Sequence, residues 1–504
     1  MNSSKEKWLF WACFIALVAT SFGFVVRAQI IGDWQAQFNL SETQKGELLG
    51  VGLWPFAISI VLFSLVIDKI GYGRAMIFAF LCHVGSAIIT IFATGYWMLY
   101  LGTFVLALGN GTVEAVINPV VATMFPREKT KWLNILHAGW PGGMVLGGIL
   151  ALSLGSAHWG WKVGLVLIPA ITYGILMFRR EFPIHERVKA GISYKAMLQE
   201  VGTLGALIVV VLIVREIGRV FEWSLTAEIL VAGALVLSYG LYAKSLGRPM
   251  FIFLLLIMMP LATTELGTDS WITDLMVPFL AGNAVWVLVY TAFIMMVLRF
   301  FAGPIVHRLS PLGLLATSSA VAIIGLIFLS KTTGIAIFLA ATVYGFGKTF
   351  FWPTMLGVVA ERFPRGGAMT LNTISGVGML SVGIIGAAFL GNIQDKEIDQ
   401  VLAMKDSALH SKVVMEEKTS VFGNYRPLNQ AVVATLSSEE QATISNLGAS
   451  AKKNALSTVA VFPAIMLVCY LGLIFYFRAK GGYKPVDLEV QSEGGPEVEK
   501  ATTG

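Results

Sequence analysis

Six ionisable side chains sit inside apolar stretches of this sequence: Arg27, Glu114, Glu265, Asp269, Arg299 and Lys348. In a bilayer each would cost about 2.5–3.5 kcal/mol on insertion scales, so such groups normally face a cavity or a partner. Glu114 and Asn118 are four residues apart and share a helix face. Pro119 lacks an amide hydrogen and frees the carbonyl of Ala115 beside them. A carboxylate in that setting accepts hydrogen bonds from hydroxyl groups or carries a proton; bonding to neighbouring helices is the bland alternative. Glu265 and Asp269 also share a face, and two close carboxylates favour holding a proton between them; Asp269 at a wet outer mouth is the other reading. Tyr344, Lys348 and Trp352 recur at every fourth position, and Pro353 frees the carbonyl of Thr349. Aromatics beside polar donors suit a ligand with one apolar face and one hydroxyl edge, which makes Trp352 and Trp271 binding candidates, with plain packing as the alternative. Arg299, five residues before Pro304, reads as a gate contact or a snorkelling cation near a helix end. His83 and His137 are isolated and read as hydrogen-bonded interior residues.

The elements that must hold these groups are membrane helices. Of 504 residues, 56% are hydrophobic and 13% charged, where a globular domain carries about 25% charged residues. Cys13, Cys82 and Cys469 lie far apart in apolar runs, which leaves neither a disulfide framework nor a cysteine metal pattern. No P-loop, HExxH or GxSxG pattern occurs, so no enzyme chemistry, metal or cofactor is expected. The net charge of +6 comes mainly from short loops, where it orients the chain in the bilayer; no basic face is left for nucleic acid. Apolar runs of spanning length fall near 8–31, 47–67, 75–93, 98–124, 131–155, 160–178, 203–221, 224–244, 250–275, 283–306, 312–330, 333–358, 367–391 and 455–477, fourteen in all. Arg215, Glu216 and Arg219 interrupt the seventh, but basic loops on both sides of the pair 203–244 require an even number of crossings between them. Both termini are then cytoplasmic. The start resembles a signal peptide only superficially, because its apolar run is long and no small-x-small cleavage site follows. The polar stretch 393–454 falls outside, with a capping-box pattern at Ser437 and Glu440 heading a short helix that ends near Gly448. The tail from 481 to 504 reads as disordered.

The halves repeat. Phe125-Pro126-Arg127 followed by Leu133-Asn134 is echoed by Phe363-Pro364-Arg365 followed by Leu371-Asn372, at an offset of 238. The expected domains are a six-helix bundle over 1–180, a linker over 181–202, an inserted hairpin over 203–249 and a second six-helix bundle over 250–480. Parallel repeats of this kind place a substrate cavity between the halves near the midplane. Adding 238 to Arg27 gives 265, which sets Arg27 and Glu265 at equivalent positions, as a salt bridge across the cavity, as two ends of a substrate site, or as a structural pair.

Asp68-Lys69-x-Gly71-x-x-Arg74, with Ser64 replacing a glycine, resembles the loop signature of the major facilitator superfamily. Glu114-x-x-x-Asn118-Pro119 and the stretch Glu265-Leu-Gly-Thr-Asp-Ser-Trp resemble the fucose:proton symporter-like sugar permeases within it. The superfamily resemblance implies an all-α membrane protein of the plasma or bacterial inner membrane that works by alternating access, with Asp68, Lys69 and Arg74 at the inner gate. The narrower one implies uptake of a monosaccharide with protons. Arg27 and Ala28 stand where that family carries a helix-one carboxylate, and Glu265, Asp269 or Glu114 would then carry the proton. Arg27, Glu114, Asn118, Glu265, Lys348, Trp352 and Trp271 are the expected substrate contacts. Sodium is the alternative coupling ion, an organic-anion carrier the alternative function, and a transporter-like sensor the alternative of another class. The partners are a small polar solute and the bilayer, and the chain is expected to be a monomer.

Overall fold

In the computed structural model, residues 4–488 are described, except for 41, 281–283 and 421–422. Apolar side chains fill nearly every turn of the long segments, so the chain folds as helices whose backbone polar groups bond internally, as a bilayer demands. The first half comprises α1 (Ser4–Phe38), α2 (Glu42–Gly50), α3 (Trp54–Ile70), α4 (Tyr72–Ile91), α5 (Tyr96–Met124), α6 (Lys129–His137), α7 (Gly139–Ser153), α8 (Trp159–Gly164) and α9 (Leu167–Met177). After α10 (Glu186–Lys189) come the paired helices α11 (Tyr194–Val220) and α12 (Leu225–Ala243). The second half contains α13 (Pro249–Ala262), a π-helical turn (Thr263–Gly267), α14 (Thr268–Leu280), α15 (Val285–Phe300), α16 (Ala302–Leu309), α17 (Pro311–Lys331), α18 (Ala336–Lys348), α19 (Phe351–Arg362) and α20 (Gly367–Ser381). A second π turn (Val382–Ala387) leads to α21 (Ala388–Lys405), α22 (Ser407–Val413), the hairpin β1 (Lys418–Ser420) and β2 (Gly423–Tyr425), α23 (Gln430–Val433), α24 (Ser438–Val459) and α25 (Val461–Ala479).

Among the described residues twelve helices are long and apolar enough to cross a membrane, or thirteen if α15 and α16, bent by 69°, count as one broken span. The expected span 333–358 is divided into α18 and α19, because Pro353 cannot continue the hydrogen-bond ladder. The insertion is a helical hairpin that begins inside the expected linker: α11 already starts at Tyr194 and kinks at Gly202, whose φ of 63° is left-handed. A Cβ at Gly202 would lie 2.0 Å from the Gly247 nitrogen, so only glycine allows the two strands of backbone to meet there. That approach lets Thr203 N donate to Ser245 O at 2.8 Å and closes the hairpin.

Two expectations need correction. The capping box of Ser437 and Glu440 is present, but its helix runs on past Gly448 to Val459, and 393–454 folds around a small core of Leu402, Leu409, Val413 and Ile444. The tail is ordered at least to 488: Val486 N donates to Glu361 O at 2.8 Å, and Arg362 Nη1 to Lys484 O at 2.6 Å. Residues 489–504 lie outside the described ones.

The helices of each half pack chiefly on one another, and the halves meet where α3 lies against α20, α6 against α19, and α7 against α15. The repeat is visible in this interface. Asn134 and Asn372, which are 238 apart, both reach into the opposite half: Asn134 Nδ2 donates to Thr354 Oγ1 at 3.2 Å and Asn372 Nδ2 to Ala115 O at 3.1 Å. Since 115 plus 238 is 353, the two acceptors are themselves repeat neighbours. The carbonyl of Ala115 is the one that Pro119 leaves free.

Candidate functional site

Between the halves lies a cavity of about 20 Å³ lined by Glu114, His137, Trp140, Glu265, Arg299 and Trp352 with apolar neighbours. Three local irregularities build it. The π turn Thr263–Gly267 follows Pro260 and carries Glu265; such turns widen a helix and re-aim its side chains. The α18–α19 break exposes one free carbonyl and one free amide, as helix ends do. The third, at Pro119, loosens the helix that holds Glu114.

Arg299 is the hub. Its Nη2 donates to Glu265 Oε1 at 2.7 Å, its Nε to Thr349 O at 2.7 Å, and its Nη1 to His137 O at 2.8 Å. Glu265 Oε2 accepts from Trp352 N at 2.9 Å. The break thus satisfies both ends of one ion pair, whose side chains are only 1% and 2% exposed. Charges this deep are tolerated when paired and fully hydrogen-bonded. Across the cavity Asn118 Nδ2 donates to Glu114 Oε2 at 2.7 Å, and His137 Nε2 to Asn118 Oδ1 at 2.9 Å. No cation among the described residues comes within ion-pair distance of Glu114.

A second buried pair joins Lys348 to Asp269, with Lys348 also 5.3 Å from the centre of the Tyr344 ring. Glu265 and Asp269 therefore each take a cation of their own, and the shared-proton arrangement is not what the side chains adopt. Arg299 is corrected from a gate contact or snorkelling cation near a helix end to the buried centre of the site. Arg27 is corrected too: it does not meet Glu265, and it lines a different cavity within the first half. His83 is fully buried beside Asn110 and Tyr173, as an interior histidine. The side chain of Trp271 lies outside the described residues.

At the end of the bundle where α1 begins and α25 ends, the halves are latched. Asp68 pairs with Arg187 and Lys129 with Glu186, while Lys129 Nζ donates to Ala360 O at 3.1 Å. Thr130 Oγ1 donates to Glu361 Oε1 at 2.6 Å, and Tyr483 OH to Glu361 Oε2 at 2.8 Å. His185, next to Lys129 and Arg187, is pushed down to about 3 by burial and then by those cations, and so stays neutral. Lys69 lies 4.8 Å from the ring centre of Tyr194, and Arg74 is exposed. The sequence reading missed Arg187, Lys129, Thr130 and Glu361, because a loop charge carries no sign of the partner that buries it.

The model of the Major Facilitator Superfamily matches residues 9–389. The gentisate transporter of Corynebacterium glutamicum is 22% identical over 178 residues, 34% of this chain and 40% of that protein. The chain spans less than half the length of the curated relatives it matches. Among solved structures, the human organic anion transporter MFSD10 superposes with a TM-score of 0.59 at 11% identity, covering 93% of this chain and 100% of that one. The Escherichia coli fucose:proton symporter superposes with a TM-score of 0.54 at 14% identity, covering 90% and 98%. At such identities the likeness is one of fold.

Proposed function

The chain belongs to the Major Facilitator Superfamily and is a multi-pass integral membrane transporter, not an enzyme; from that premise we propose that it carries a monosaccharide together with protons through the plasma membrane. The observation that carries this reading is the composition of the central cavity: two tryptophans, a carboxylate without a cation partner among the described residues, and an arginine already neutralised by Glu265. A neutral polyol can lay its apolar face on Trp140 or Trp352 and give hydroxyl hydrogens to Glu114. Glu265 is the proton carrier in this scheme. Protonation cancels its charge, releases Arg299 and frees the α18–α19 break to move, which couples the proton to the rocking of the halves. A cavity of about 20 Å³ is far below the roughly 300 Å³ of a ligand pocket, so the state described here is closed around the site, and substrate enters when the halves part.

The same proposal takes the broken helices α18 and α19 as one crossing. Twelve spans, the bent pair and this one make fourteen, with the latched end and both termini cytoplasmic and the units bounded as 1–180, 203–249 and 250–480. Asp68, Lys69 and Arg74 then belong to the inner gate together with Arg187. Asn118 and Lys348 support the site through Glu114 and Asp269.

An organic-anion carrier is the second reading, favoured by the buried Arg299 and Lys348 and by the name of the gentisate relative. It is weaker because both cations already hold carboxylates. Vesicles carrying the wild type and Glu265→Gln decide between them. Hexose addition is expected to alkalinise the medium outside wild-type vesicles and to leave the mutant silent. Accumulation of small carboxylates without any hexose uptake would replace the sugar reading by the second one.

A further inference from the structure

A second cavity, of about 30 Å³, lies inside the first half and shares no lining residue with the central one. Its wall includes Arg27, Trp34, Ser86, Thr90 and Thr103. Arg27 is 6% exposed, has no ion-pair partner among the described residues, and its Nε is buried without an acceptor. The indole nitrogen of Trp34, seven residues along the same helix face, is likewise buried without an acceptor. No hydrogen bond joins the hydroxyls of Ser86, Thr90 or Thr103 to another described residue. Arginine and tryptophan side chains can only donate, and the three hydroxyls can each turn to donate. Donors thus surround a full positive charge, and among the described residues no carboxylate lies within ion-pair distance of it; the hydroxyl oxygens are neutral acceptors at best.

The place has been cleared for the guanidinium. A Cβ at Gly52 would lie 2.1 Å from both of its terminal nitrogens, so the group lies directly against the Gly52 backbone and any side chain there would displace it. Burying a charge without a counter-charge is costly, and water in the cavity would solvate it without neutralising it, whereas an anion would do both. The volume admits one or two water-sized particles and no sugar.

We propose that Arg27, Trp34, Ser86, Thr90 and Thr103 form a binding site for a single halide ion, chloride under ordinary conditions, held within the first half and apart from the transport cavity. The site does not rest on the sugar reading and survives if that reading fails. Its occupant would fasten α1 to α4 and α5, on which these residues stand.

The test is thermal unfolding of the purified full-length protein at constant ionic strength, with sodium gluconate replaced stepwise by sodium chloride, bromide or acetate. Chloride and bromide are expected to raise Tm saturably, by about 2 °C or more, because a ligand that binds only the folded state stabilises it. Arg27→Gln is expected to abolish the rise and Thr90→Val to weaken it. Since Arg27→Gln could fail to fold, crystals of the wild type grown in bromide supply an independent readout, an anomalous peak beside Arg27. Equal Tm in chloride and gluconate, an undiminished rise in Arg27→Gln, or no peak would overturn the proposal. A rise with acetate equal to that with chloride would overturn the halide assignment in favour of a carboxylate.

Discussion

Arg299 spends its three hydrogen bonds on three different elements: the carboxylate of the π turn, the carbonyl at the α18–α19 break and the last residue of α6. Only a planar guanidinium reaches all three at once, so Arg299→Lys is not a conservative change. Removing one member of a buried pair strands the other charge, at a cost of about 3–5 kcal/mol, whereas removing both costs far less. Arg299→Met alone is therefore expected to lower stability much more than Arg299→Met with Glu265→Gln, and thermal unfolding of the two variants measures the difference. Equal losses would mean that the pair is not the unit that matters. The sequence announced that Glu265 would need a partner, because it lies inside an apolar run, but read Arg299 as a gate contact or a snorkelling cation near a helix end. It also announced the free carbonyl of Thr349 through Pro353. It did not announce which group would take either: the offset of 238 pairs positions along equivalent helices, but not the directions of side chains, and Arg27 turns toward Gly52 while Glu265 turns toward α15.

Helices in this chain end or bend for reasons that sequence marks unevenly. Proline marks the α18–α19 break plainly, and the capping box marks the start of α24. Gly448 did not end that helix, because glycine stops a helix only where the chain turns left-handed, and here it does not. The π turns left no signal that hydropathy could read. Contact between elements is more legible from small residues, and Gly357 on α19 is the clearest case. A Cβ there would lie 2.2 Å from Thr130 Oγ1 and 2.6 Å from the Thr130 Cα on α6. Gly357→Ala should force α6 and α19 apart and weaken the bond from Thr130 to Glu361. Overpacking of this kind costs about 1–3 kcal/mol. A cysteine placed at Asn134 is expected to react faster with a maleimide added from the latched side in the Gly357→Ala background than in the wild-type one. An unchanged rate would show that the crossing yields without opening.

At the scale of the whole molecule, one carboxylate joins three parts of the chain. Glu361 lies in the last turn of α19 in the second half, accepts from Thr130 in the first, and accepts from Tyr483 in the segment beyond the last span; its backbone carbonyl takes Val486 N. The tail thus lies as a strap over the seam between the halves, the seam that parts in the rocking motion proposed above. Composition suggested a solvated tail, and the sequence held no sign of the seam into which Leu488 is buried at 4% exposure. A strap that binds one state biases the equilibrium by its own free energy, and about 1.4 kcal/mol is a factor of ten in population. Tyr483→Phe removes a hydrogen bond to a carboxylate, worth about 1.5–3 kcal/mol, and Val486→Pro deletes the second donor without touching the transport cavity. The double variant should populate the state open at the latched end at least about tenfold more than the wild type. The distance between spin labels at positions 131 and 303, across the α6–α16 contact, reads that population directly. Transport should respond in a direction that depends on which half-cycle limits turnover, but the distance distribution should not: it must gain a longer component if the strap restrains the seam, and an identical distribution would reduce the tail to a passive neighbour.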